Sequence, residues 1–100
     1  MVAQKHGFRR DELDAYALES HKRAAAARDS GAFDAEIVPL KVDGGTHARD
    51  EGIRDDATVE SIGGVKLLQP GGMITAANAS QICDGAAAVL IVSEAALKKY

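Results

Sequence analysis

The side chains able to do covalent or metal chemistry are few and scattered. Cys83 is the single thiol, and no His or Lys lies within a few residues to stabilise its thiolate, so it is expected to be a buried structural thiol rather than a nucleophile. His6, His21 and His47 are far apart and show no metal-ligand spacing. Asp50, Glu51, Asp55 and Asp56 follow no EF-hand pattern, so no metal site is expected. Gly63-Gly64 and Gly71-Gly72 match neither GxGxxG nor a P-loop and read as turns. By residue type alone, Arg54 among those carboxylates reads as part of a solvated loop with a local ion pair. Ser61 and Ser80 read as turn or cap residues as readily as ligand contacts.

The elements that must hold these residues begin with a long helix. From Arg10 to about Asp29 there is no Gly or Pro, and Leu13, Tyr16, Ala17, Ser20, Ala24 and Ala27 recur at spacings of three and four, which predicts one buried stripe. Asp11, Glu12 and Asp14 near its start and Arg28 near its end complement the macrodipole, and Gly31 supplies a stop. Arg9 stands where Ser or Thr would cap the helix, so the cap is expected to be shifted to Asp11 or missing, at a cost of about 1 kcal/mol. Residues 35–42 (AEIVPLKV) predict an edge strand or extended arm, because Pro39 removes a donor from the middle. Residues 43–56 are polar and Gly-punctuated and predict an exposed loop, and Thr58 opens a short helical turn to Ile62. Residues 86–92 (AAAVLIV) are apolar on both faces, the pattern of a central, fully covered strand, and Ser93 opens a final helix. A covered strand needs neighbours that this sequence does not offer, which suggests a segment of a larger α/β protein or pairing with another copy.

Composition narrows the class. One hundred residues hold one small domain or a piece of one. Leu, Ile, Val and Phe total 22 and Ala adds 19, which permits a thin core of closely packed small side chains. A net charge of -3 gives no general attraction to nucleic acid or anionic lipid. No apolar run approaches 18 residues, the start lacks a signal-peptide apolar region, and a lone cysteine forms no internal disulfide, so a soluble, cytoplasmic chain without membrane or nucleic-acid partners is expected.

Residues 72–97 (GMITAANASQICDGAAAVLIVSEAAL) are similar to the thiolase family of acyl-CoA C-acyltransferases, which carries a TAxNAS-x-x-x-DGAAA stretch. Upstream, Gly7, Arg10, Asp14, Ala17 and Ser20 resemble the family's G-x-S-R-x-x-x-D-x-x-A-x-x-S helix, and Gly31, Phe33, Glu36, Ile37 and Pro39 its G-x-F-x-x-E-I-x-P segment. Two departures are Arg9, where the family has a capping Ser, and VKLLQPGGM, which lacks its L-x-P-x-F. The resemblance implies an α/β fold: a fragment of the thiolase fold, with a helical CoA-binding loop domain over residues 1–72. Residues 73–100 would be the end of the N-terminal core: a short helix, a buried strand and the start of a helix.

The same resemblance implies a site. Arg54 of GIRDDATVES matches the family's adenine-side arginine and Ser61 the serine near the adenine; Ala76 and Ser80 of TAANAS match positions lining the pantetheine tunnel. A guanidinium can stack on a purine or meet a phosphate, a hydroxyl can pair with a ring nitrogen or amide, and alanine leaves room for a narrow acyl-pantetheine arm. A short helix starting near Asn78 or Ser80 would aim N–H groups at a ligand carbonyl. The nucleophilic Cys, the His, the Asn and the second Cys of thiolase catalysis have no counterpart motif in this sequence, so no catalytic residue is assigned. The expected role is binding of CoA or acyl-CoA, as substrate and with no metal, within Claisen condensation or thiolytic cleavage. Alternatives are a non-catalytic acyl-CoA-binding module or a structural, self-associating fragment.

Overall fold

The computed structural model describes residues 2–100, and its organising element is the long helix. In chain order the elements are α1 (Val2–Lys5), α2 (Arg10–Asp29), β1 (Leu40–Val42), β2 (Gly45–His47), α3 (Val59–Gly63) and α4 (Glu94–Lys99). None of these helices is long and apolar enough to cross a membrane. Both ends of α2 have a defined stop. Arg9 is the N-cap residue, and the Glu12 carboxylate reaches back to accept from the Arg9 N–H at 2.8 Å, one half of a capping box. The other half is absent because a guanidinium cannot accept; it binds the Asp11 carboxylate instead, at 2.8 and 3.0 Å. The side-chain cap bond at residue 9 is therefore missing, as expected, and the Glu12 half of the box stands in its place. At the far end the Ala32 N–H donates to Ala27 O at 2.9 Å and the Gly31 N–H to Arg28 O at 3.0 Å, a Schellman motif with Gly31 at φ +75°.

The stripe expected from apolar spacing packs in part: Leu13, Ala17, Ala24 and Ala27 are half-buried. Tyr16 is 80% exposed and Ser20 is exposed, while Asp14 and Leu18 are buried and His21 and Arg28 half-buried. Arg10, Asp14, Leu18, His21 and Arg28 widen the packed face beside that stripe, and this mostly polar side is one that an apolar periodicity could not report. Against this face pack α3, whose Ile62 is the other buried apolar side chain, and Thr75, which is fully buried.

β1 and β2 form an antiparallel hairpin in the register Leu40 to His47, Lys41 to Thr46 and Val42 to Gly45. Gly44, at φ +93°, takes the left-handed turn position. Pro39 lies just outside β1, which is how the strand tolerates it. Residues 45–47, expected to be loop, are a strand; a Gly-Thr-His stretch carries no alternating pattern to announce it. Thr58 caps α3 as expected, its Oγ1 accepting from the Ser61 N–H at 3.1 Å. Pro70 and Gly71 then make a tight reversal: the Gly72 N–H donates to Gln69 O at 3.0 Å with Gly71 at φ +71°, the residue pattern of a type II turn. The reversal lays Leu67 against Thr75 in an isolated antiparallel bridge.

Three expectations fail in the last third. Residues 86–92 are not a buried strand: no strand pairs with them among the described residues, and Ile82, Val89, Leu90 and Ile91 are each at least 86% exposed. Cys83 is exposed rather than buried, because none of the described residues packs over this stretch. The short helix near Asn78 is a single turn, closed by the Ala79 N–H donating to Thr75 O at 3.0 Å. The radius of gyration, 19.3 Å, exceeds the ~13 Å of a compact chain of this length, as the unpacked stretch requires. Ser93 does cap α4, its Oγ accepting from the Ala96 N–H at 3.2 Å.

At Gly31 an added Cβ would meet Asp34 Oδ2 at 2.9 Å in a left-handed backbone. Gly31→Ala is expected to lower stability by about 1–2 kcal/mol. Urea unfolding followed by circular dichroism measures this, and an unchanged midpoint would contradict the capping role.

Candidate functional site

The residues expected to meet CoA sit on three segments, and each segment is tied to the polar face of α2. Arg54 lies in the loop before α3. Its backbone N–H donates to His21 Nδ1 at 3.2 Å, which ties the loop to α2. Next to it, Asp55 accepts from both terminal nitrogens of Arg28, at 2.9 and 3.3 Å, and from Arg49 Nη2 at 2.8 Å. These contacts, Arg28 foremost, hold the Asp55 carboxyl below the usual carboxylate range. Arg28 is completed by Asp29. The exposed Arg54 guanidinium makes no ion pair among the described residues. Arg28 of α2 and Arg49 of the loop are thus spent on Asp55, and Arg54 faces solvent.

Ser61 is committed to its own helix cap. Its Oγ donates to Thr58 O at 3.1 Å and accepts from the Thr58 N–H at 2.9 Å, while its N–H donates to Thr58 Oγ1. The hydroxyl has one acceptor lone pair left for anything else.

Ala76 and Ser80, both exposed, flank the turn made by TAANAS. Thr75 Oγ1 accepts from the N–H groups of Ala77 and Asn78, at 3.2 and 3.3 Å. Asn78 Oδ1 accepts from the Thr75 N–H at 2.8 Å, and its Nδ2 donates to Met73 O at 3.1 Å and to Asp14 Oδ1 at 2.8 Å. The other Asp14 oxygen takes the Nε of Arg10. Arg10 Nη2 then donates to the carbonyls of Ile62, Gly63 and Val65, at 3.2 to 3.3 Å. Those carbonyls lie at and just beyond the C-terminal end of α3, where helical partners run out and cations are favoured.

The structure therefore holds Arg54, Ser61, Ala76 and Ser80 by way of α2, and no hydrogen bond joins any two of them among the described residues. The Arg10, Asp14, Asn78 and Thr75 network was not foreseen as a unit. Its signal was present in Arg10 and Asp14, four apart on one helix face, and in an Asn between small residues. A cavity of about 360 Å³ lies between the end of α2 and residues 48–53, lined by Arg28, Phe33, Asp34, Ile37, Ala48, Arg49, Asp50 and Ile53. None of the four expected site residues lines it, and its two arginines are already paired with Asp55.

The family model described as the N-terminal domain of thiolase matches residues 1–95. The chain is similar to acetyl-CoA acetyltransferase of Synechocystis sp., 50% identical over 104 residues, covering 99% of this chain and 26% of that protein. It is similar to a steroid 3-ketoacyl-CoA thiolase of Mycobacterium tuberculosis, 43% identical over 100 residues, covering 100% of this chain and 24% of that one. The solved structure of acetyl-CoA acetyltransferase from Syntrophomonas wolfei superposes with a TM-score of 0.74 at 41% identity, covering 81% of this chain and 21% of that chain. The chain spans about a quarter of the length of the curated relatives it matches. A match over nearly all its residues, with the fold of the corresponding part of a solved relative, means that this chain belongs to the thiolase family.

Proposed function

We propose that this chain supplies part of the CoA-binding surface of a thiolase-type acyltransferase acting in Claisen condensation or thiolytic cleavage. The observation that carries the reading is the Arg54 guanidinium, left without a carboxylate partner on a loop fixed to α2 through His21 and Asp55. A free planar cation there can stack on adenine or meet a phosphate of the 3′-phospho-ADP end. Ser61 offers its remaining lone pair to the same end. Ala76 is the small side chain that lets a pantetheine arm pass, and Ser80 is the hydroxyl beside it. In this proposal residues 1–72 are the CoA-binding loop domain and residues 73–100 the end of the N-terminal core. The chain binds and orients CoA, and it contributes no nucleophile or acid–base group.

With this one surface the affinity is expected to be weak, with Kd no tighter than about 1 mM, near -4 kcal/mol. CoA titration followed by amide shifts should show changes clustered at Arg54, Ser61 and residues 76–80. Arg54→Ala should abolish them. His47→Ala, whose imidazole lies 3.4 Å from Glu51 in the same region, should leave them unchanged. Wild-type shifts clustered elsewhere would remove the assignment.

The hold on the Arg54 loop also has a pH signature. Because the folded pKa of Asp55 is lowered, its contribution is present at neutral pH and above the unfolded pKa, and is lost as pH falls through the folded value. The Nη–H signals of Arg28 and Arg49, the protons that meet Asp55, should stay fixed between pH 7 and 5 and move only below pH ~3.9. A midpoint above that value would contradict the pairing.

A second reading, self-association, is favoured by the exposed apolar side chains of residues 82–92. Unpaired backbone beside such side chains is satisfied most simply by another copy. Light scattering should find a dimer or larger species at high concentration, and a stable monomer there would exclude it.

A further inference from the structure

Asn78 makes three side-chain hydrogen bonds. Two are local to its turn, to Thr75 N and Met73 O, and the third crosses 64 positions to Asp14. A primary amide is suited to this because it carries two donors and an accepting oxygen. A carboxylate at 78 would lose both donors and set a like charge against Asp14, and an apolar side chain would leave three partners unsatisfied.

The consequence is geometric. Asp14 is fixed to Arg10, and Arg10 holds the carbonyls of Ile62 and Gly63, adjacent to Ser61. At the other end Asn78 holds Thr75, adjacent to Ala76, and Ser80 follows two residues later. The relay thus runs from the Ser61 helix to the turn bearing Ala76 and Ser80, with the first turns of α2 as a rigid spacer. Its central carboxylate is buried, and no buried side-chain nitrogen or oxygen lacks a partner among the described residues, so the relay has one satisfied arrangement.

We propose that Asn78 is a positioning residue for CoA: through Asp14 and Arg10 it sets the separation between Ser61 and the turn carrying Ala76 and Ser80, and hence the width open to the acyl-pantetheine arm. The role rests on the CoA reading above. It differs from a purely local structural role because the bonds to Thr75 and Met73 can shape the turn without α2. The bond to Asp14 is the one that ties that turn to α2, beside the Leu67–Thr75 bridge and the Leu68 N–H to Ile74 O bond that tie it to the segment after α3.

The test is CoA titration of the ¹⁵N-labelled full chain, with circular dichroism reporting helix content. In Asn78→Ala the helix content and the Arg54 shifts should persist, while shifts at Ala76 and Ser80 collapse and the apparent Kd rises about tenfold. The double variant Asp14→Asn, Asn78→Asp rebuilds the link between positions 14 and 78 with donor and acceptor exchanged, keeps an acceptor for Arg10 and one for the Thr75 N–H, and gives up only the local bond to Met73 O. It should restore the Ser80 shifts and bring Kd within about threefold of wild type. Asn78→Ala with wild-type affinity and Ser80 shifts overturns the positioning role, as does a folded double variant without Ser80 shifts. If Asn78→Ala fails to fold, the double variant decides by the same two outcomes. A wild-type chain that shows no CoA-induced shifts overturns the CoA reading and the positioning role with it. That result is distinct from wild-type and Asn78→Ala chains that respond equally.

Discussion

A buried carboxylate is the constraint on which this structure turns. Asp14 is 7% exposed, and an ion taken that far from water costs several kcal/mol unless opposite charge and donors surround it. Arg10 supplies the charge from one helical turn away, and Asn78 supplies the donor from the other end of the chain. Because Arg10 is bound by its Nε to Asp14, its Nη2 is free to collect the last carbonyls of α3. One ionised group thereby brings together the long helix, the short helix and the TAANAS turn. Leu18 and Ile62, the two buried apolar side chains among the described residues, could not do this alone. Full burial of each stabilises by about 1.5–3 kcal/mol and is non-directional.

That reliance on polar contacts explains which parts were legible in the sequence. The limits of α2 followed from an uninterrupted, Ala-rich segment ending at Gly31, and the starts of α3 and α4 followed from Thr58 and Ser93; all are decided by local chemistry. The packed face of α2 was read in part: apolar spacing selects the half-buried Leu13, Ala17, Ala24 and Ala27 together with the exposed Tyr16 and Ser20, and it passes over Arg10, Asp14 and His21, around which the polar side of the face is built. β2 escaped notice because three residues fixed by a turn carry no pattern. For residues 86–92 the inference from pattern to strand was sound about composition and wrong about structure in this chain. A strand is a relation between segments, and the described residues hold no segment that pairs with it.

Family membership clarifies why Arg10, Asp14 and the TAANAS segment occur in one sequence. They resemble separate motifs some 60 positions apart, yet Asp14 and Asn78 are hydrogen-bonded and Arg10 shares the same carboxylate. The motif on the helix and the motif on the turn are two halves of one contact. The departures from the family pattern lie outside it. Arg9, in place of a capping Ser, turns outward to Asp11, and Glu12 compensates at the N-terminus. The PGGM reversal still brings Thr75 beside Leu67.

The distribution of charge around Asp55 determines what the surface can offer a ligand. Arg28, Arg49 and Arg54 all reach the same acidic loop, and a carboxylate beside Arg54 in sequence would be its simplest partner. Asp55 instead faces the end of α2, where Arg28 is largely shielded from solvent and grips it with two nitrogens. Such a bidentate pair is held more strongly than a single exposed contact. Arg49 takes the remaining side of the carboxylate. The backbone of Arg54 is meanwhile drawn toward α2 by His21, which fixes the loop without engaging the guanidinium. A cation neutralised by a fixed carboxylate would have to break that pair before meeting a phosphate. One whose loop is anchored by its backbone and by its neighbour's ion pairs keeps its charge and its planar faces available.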